Sequence, residues 1–196
     1  MHGLANRAIQ RFITDTYGAE AWSEVASTAA LGFETFEPLL TYDPTITETV
    51  IKAASFELER PRCDLLEDLG HYLVTHPNSE ATRRLLRFGG SSFAAFLVSL
   101  EDLPERARLA LNGGSFPRIT THEVGRDNFI LMVEAEIDGI ANILLGAVRG
   151  MADDYGALAT IEHRGRFRDA ERLTVLVHDE GFSKGRRFDL VKSGAA

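Results

Sequence analysis

Six histidines, one cysteine and two glycine-serine stretches are the residues whose types could carry chemistry in this chain. The histidines are His2, His71, His76, His122, His163 and His178. His71 and His76 stand five apart, which puts them on different faces of one helix. No HExxH, CxxC or other metal-binding spacing occurs. His122 and His163 fall in strand-like or turn-like sequence and read as solvated. His2, beside the terminus, reads as exposed or structural. Cys63 is the single cysteine, so no intramolecular disulfide forms, and it reads as a small, partly buried thiol. "GGSSF" (89 to 93) lacks the G-x-S-x-G pattern of a nucleophile elbow, and its serines read as helix caps. "LNGGS" (111 to 115) lacks the lysine and following helix of a phosphate-binding loop and reads as a turn. Glu57, Glu59, Glu67, Asp68 and the pair Asp153-Asp154 read as solvated faces. Arg83, Arg84, Arg87, Arg106 and Arg108 read likewise, with a partner surface as the alternative. No nucleophile, acid–base pair or metal set emerges, so the chain is not expected to be an enzyme.

Composition narrows the classes further. The chain has 196 residues, 44% hydrophobic and 26% charged, with a formal net charge of −8. That suits one globular domain. The acidic balance argues against a nucleic-acid binder, which needs a basic stripe. No run of 18 apolar residues occurs, so no membrane span is expected. The amphipathic start lacks the long apolar core of a signal peptide, and a reducing cytoplasm is the expected location.

The elements that must position any site change period midway. Residues 1 to 111 read as helical almost throughout. Leu4, Ile9, Phe12 and Ile13 make one apolar stripe, and Trp22, Val25 and Ala26 a second. Asp43-Pro44 opens a third helix with an N-cap and an early proline. Leu65, Leu66, Leu69, Tyr72 and Leu73 lie on a fourth helix that ends at His76-Pro77. Short helices follow from Ser79 to Phe88 and from Ser91 onward. Beyond residue 115 the period becomes that of a sheet. Residues 129 to 137, "FILMVEAEI", read as a strand with Phe129, Leu131, Val133, Ala135 and Ile137 on one face. Residues 140 to 155 return to helix, and two further strands follow. The order is helices, then strand, strand, helix, strand, strand. It predicts an α+β fold, with an N-terminal helical part (1–111) packed on a C-terminal antiparallel sheet with an inserted helix (115–181). The tail 182–196 reads as polar and loosely held. Pro104 interrupts "SLEDLPERARLAL", with Asp102 and Glu105 spaced as a capping box for a break and restart.

Several segments taken together resemble the haem nitric oxide/oxygen binding (H-NOX) domain family. They are "MHGLANRAIQRFI", "LLEDLGHYLV", "LLRFGGSSFAAFLVSLEDL" and "GIANILLGAVRGMADDYG", in the family's order and spacing over residues 1 to 180. The resemblance implies a gas-sensing fold in which one histidine ligates haem iron and a Tyr-x-Ser-x-Arg motif holds the propionates. Ungapped placement on Phe96-Leu97, Leu100 and Leu103 puts the ligand position at 104, where this chain has Pro104. Anchoring on Gly139-Ile140 puts the other three positions at Val133, Ala135 and Ile137. All four lack the family's groups.

The resemblance therefore implies a divergent member. Haem carboxylates need cationic and hydroxyl donors, and iron needs an axial imidazole. The expected outcome is a stand-alone sensory or regulatory domain without His-ligated haem, with haem binding through a non-family ligand as the alternative. His71, which the family places near the distal side, is the histidine weighed for that role; its ordinary reading is a surface or capping residue. Leu73, Leu97, Leu100 and Leu144 are expected to line a refitted pocket that holds an apolar, lipid-like molecule such as a fatty acyl chain or has collapsed. Neither metal nor any other cofactor is expected. By family resemblance the partner is a signalling protein: a histidine kinase, or an enzyme of cyclic-nucleotide or diguanylate metabolism.

Overall fold

The computed structural model describes residues 3–111 and 116–188. Four helices open the chain: α1 (Gly3–Tyr17), α2 (Ala19–Thr28), α3 (Pro44–Glu57) and α4 (Arg62–Thr75). A 3₁₀ turn at Pro77–Ser79 leads to α5 (Glu80–Arg87) and then α6 (Phe93–Ser99). A second 3₁₀ turn, Leu100–Asp102, runs directly into α7 (Leu103–Leu111). The sheet part follows as β1 (Arg118–Gly125), β2 (Asn128–Glu134), α8 (Ile140–Tyr155), β3 (Leu158–Phe167) and β4 (Ala170–Asp179). The sheet is antiparallel with strand order β1-β2-β4-β3. This is the α+β arrangement the sequence predicts.

Local chemistry explains the helix ends. Asp43 caps α3 by accepting the Thr45 N–H at 2.9 Å, with Pro44 in the first turn. Ser92 caps α6 by accepting the Ala95 N–H at 3.2 Å. Helix α8 ends on Gly156 at φ 78°, a left-handed conformation that favours glycine. There Gly156 N–H bonds to Asp153 O and Ala157 N–H to Ala152 O, a Schellman closure.

Two apolar clusters fill the interior. The first joins the amphipathic faces of α1 to α4, through Phe12, Ile13, Val25, Phe36, Val50 and Leu69. The second joins α6 and α8 to the inner sheet face, where Leu131 of β2 lies opposite Leu173 of β4. Between them α4 crosses α8 with backbone against backbone. A Cβ on Gly70 would collide with the Ile143 carbonyl, and one on Gly146 with the Glu67 carbonyl.

The tail differs from its sequence reading. Ser183 N–H bonds to Gly156 O at 2.9 Å, and Arg186 N–H to Asp154 O at 2.8 Å. Residues 182–188 are therefore tied across the end of α8. Their backbone has found acceptors that a polar composition does not reveal.

Candidate functional site

The segment from Phe96 to Pro104 is built from the core outward. Phe96, Leu97 and Leu100 have no exposed surface. Two contacts fix it to β1: Thr121 Oγ1 donates to Leu97 O at 3.0 Å, and Glu101 accepts the Thr121 N–H at 2.6 Å. The break sits where the sequence puts it. Asp102 closes the 3₁₀ turn and α7 starts at Leu103, helical at φ −57°, ψ −43°, so the chain bends through a tight turn at this point. Pro104 lies in the first turn of α7 and is buried. It presents three methylenes and no donor or lone pair to its surroundings.

The three other positions separate. Val133 is 2% exposed and points from β2 into the sheet-side cluster with Ile119, Leu97 and Leu100. Ala135 and Ile137 do not continue that face. Strand β2 ends at Glu134, and residues 135–139 turn toward the start of α8. The alternation of "FILMVEAEI" outlasts the strand because Gly139, at φ 89°, must be reached by a turn. Ala135 and Ile137 instead border an open cleft of about 380 Å³, with Phe116, Pro117 and Ile140. Its charged members are Arg118 against Glu134, Glu136 and Asp169.

The four leucines expected to line one pocket also divide. Leu97, Leu100 and Leu144 belong to the sheet-side cluster, together with Val74 of α4. Leu73, one residue earlier on α4, packs against the helical cluster with Ile143. The close α4–α8 crossing separates the two, so these leucines do not surround a single space.

Other candidates resolve as follows. His71, His122, His163 and His178 are exposed, and His2 lies outside the described residues. No group of three or more His, Cys, Asp or Glu capable of holding a metal occurs among the described residues. "LNGGS" falls largely on residues outside the described ones. Cys63 is exposed, contrary to its reading as partly buried. Its thiol donates to Asp64 at 3.2 Å, which, with some desolvation, pushes its pKa up and disfavours a reactive thiolate. Asp154 is 1% exposed and not solvated; its Oδ1 accepts from Arg83 Nε at 2.7 Å. Arg83, 7% exposed, and Arg87, 15% exposed, are likewise not surface arginines. Adjacent identical carboxylates gave no sign that one points in and one out; the helical phase of α8, with Met151 and Ala152 also inside, carries that information.

A second polar cluster was not legible either. Tyr72 Oη donates to Asp15 at 2.6 Å, Asn78 Nδ2 donates to the same oxygen at 2.8 Å, and the His76 ring stacks on Tyr72. Burial, then the Asp15 hydrogen bond, push the Tyr72 pKa to about 12. The same hydrogen bonds hold Asp15 below the usual carboxylate value.

A haem needs an axial imidazole for its iron and donors for its two propionates. Pro104 and Val133 offer carbon alone at buried positions, and Ala135 and Ile137 offer the same at the cleft. The cleft's three carboxylates against one guanidinium would repel two propionates. These residues do not fit the group.

Comparison with known proteins places this geometry. The family described as "Haem-NO-binding" matches residues 2–163. An H-NOX protein from S. oneidensis in the Fe(II) ligation state aligns with a TM-score of 0.78 at 16% identity, covering 93% of this chain and 100% of that one. An H-NOX from T. tengcongensis aligns at 0.74 with 18% identity, covering 91% and 98%. The soluble guanylate cyclase gcy-31 of Caenorhabditis elegans is 22% identical over 154 residues, 79% of this chain. The chain spans 22% of that relative's length.

Proposed function

This chain belongs to the haem-NO-binding family of haem-based gas sensors in signalling, and from that premise we propose that it regulates a partner protein without holding a His-ligated haem. One observation carries the reading. On the ungapped placement that the resemblance implies, the family's haem-binding positions fall at Pro104, Val133, Ala135 and Ile137, all without polar side-chain groups, and the last two border an acidic cleft. Losing one group alone would leave others buried and unpaired, at a cost of several kcal/mol. Joint replacement leaves no such orphan at these positions.

Closure of the pocket by the protein's own side chains is favoured over a lipid-like occupant. Val74, Leu97, Leu100, Leu131 and Val133, all at most 2% exposed, share one buried cluster. The partner class follows the family: an effector such as a guanylate cyclase, with a histidine kinase or diguanylate enzyme as the other candidates.

A ligand that binds the folded state alone stabilises it by about 2.7 kcal/mol at a hundredfold excess over its Kd. Thermal unfolding with added haem is therefore expected to show no rise in midpoint, and a mass spectrum of the organic extract no stoichiometric lipid. A second reading, a haem sensor with another axial ligand, is favoured by the likeness to H-NOX structures solved with Fe(II) and Fe(II)NO. A haem-dependent rise in midpoint would support that reading instead.

A further inference from the structure

The arginines of α5 and the tail make a surplus of positive charge on an otherwise acidic protein. Three guanidinium groups converge on one buried carboxylate. Asp154 takes Arg83 Nε at 2.7 Å, Arg87 Nε at 3.4 Å and Arg186 Nε at 3.9 Å. The Arg87 pair is an ion pair without an aligned hydrogen bond: its Nε and Nη1 and Asp154 Oδ2 are buried with no hydrogen-bond partner among the described residues. Arg87 stacks over the Tyr155 ring at 3.4 Å, which fixes the guanidinium in place.

The segment laid over this nest does not neutralise it. Residues 182–188 contribute Lys184, Arg186 and Arg187 and no carboxylate. Arg83 Nη2 donates to the Arg187 carbonyl at 3.1 Å, and Phe188 lies beside Arg83 and Arg87. On α5, the end of α8 and this segment, Arg83, Arg87, Lys184, Arg186 and Arg187 stand with Glu80, Asp153 and Asp154. That is five cations against three carboxylates in a chain of net charge −8. Further along the sequence, Asp189 is offset by Lys192. The other arginine-rich surface, on β3 and its ends, is balanced: Arg164 pairs with Glu162 and Arg166 with Asp138. Clustered arginine alone is thus not the distinction; unmatched charge is.

We propose that the α5–tail face docks an acidic segment of a partner protein. Carboxylates match the exposed guanidinium forks of Arg186 and Arg187. Complementary charge on so small a face acts on encounter rate and register. A nucleic acid fits less well. A nucleic acid needs cations spaced along successive phosphates, and the exposed Lys184, Arg186 and Arg187 are too few to supply them. The inference rests on the proposed function in needing a partner protein, and is independent of whether haem binds.

The test uses a fluorescein-labelled decaglutamate peptide with the full chain. Binding is expected to weaken steeply with salt. Arg186→Glu with Arg187→Glu, both exposed, is expected to weaken it by about tenfold or more. Arg164→Glu with Arg168→Glu, on the balanced surface, is expected to change it by less than about twofold. Circular dichroism and the thermal midpoint establish that each variant is folded. No binding, equal loss in both double variants, or tighter binding of a single-stranded RNA decamer by the same face would overturn the proposal. None of these outcomes bears on haem, so failure here leaves the haem question standing.

Discussion

Arg83 donates its Nε–H to Asp154 at 2.7 Å, and both side chains are more than nine-tenths buried. Burial pulls the arginine's proton affinity down, and the Asp154 hydrogen bond and charge more than restore it, so Arg83 stays protonated. Breaking such a pair leaves an uncompensated buried charge. Asp154→Ala should therefore destabilise the fold by about 3–5 kcal/mol, read as a fall in the urea midpoint with unchanged m-value. The double change Arg83→Met with Asp154→Leu should recover only part of that loss, because the largely buried Arg87 still loses its carboxylate partner.

The α4–α8 crossing makes a second prediction. Gly70→Ala would drive a methyl into the Ile143 backbone, and Gly146→Ala into the Glu67 backbone. Helix propensity favours both changes, yet each should cost about 1–3 kcal/mol or more, because backbone cannot move aside. Gly181→Ala, whose Cβ would meet only the Asp179 carboxylate at 3.7 Å, should stay within about 0.5 kcal/mol. Chemical denaturation of the three variants checks the ordering.

Stability should depend on pH at both extremes through one hydrogen bond. Asp15 has a lowered pKa in the fold, so its contribution is full above its ordinary 3.8 and is lost as pH falls through the folded value. Tyr72 is raised from 10.0 to about 12, so its contribution is full below pH 10 and is lost as pH rises toward 12. Tyr72→Phe should flatten the decline in thermal midpoint between pH 10 and 12, and Asp15→Asn the decline below pH 4. An unchanged alkaline slope in Tyr72→Phe would show that the tyrosine is not the titrating group.

Much of the fold was legible because it is written in periodicity. The stripes of α1 to α4 and the alternation of Phe129, Leu131 and Val133 each bury one face, and burial is what the pattern records. The turn at 135–139 was not legible, since Ala135 and Ile137 keep the strand's alternation after the strand has ended. The buried Arg83–Asp154 pair and the exposed Cys63 were misread for a related reason: residue type gives an average exposure, and a pairing across 71 positions cannot be read locally. The resemblance placed the family's site at four positions, and the division of those positions between a packed core and an acidic cleft became visible only with the backbone in place.

The site itself makes a prediction through a single substitution. Pro104→His restores an imidazole at the buried start of α7 and leaves Val133, Ala135 and Ile137 unchanged. Haem titration of this variant should give weak binding that is lost on desalting, because the propionates still lack donors. Stoichiometric retention would mean that the axial ligand alone suffices.

The central claim is that this member of the haem-NO-binding family does not hold its family's cofactor, and the visible spectrum of the unmodified protein tests it most directly. The chain is to be expressed with haem precursor supplied, purified and measured for bound haem per chain, before and after nitric oxide under reducing conditions. The account predicts no stoichiometric Soret band and no nitric-oxide-dependent shift. One haem per chain, with a Soret band that moves on adding nitric oxide, would contradict it.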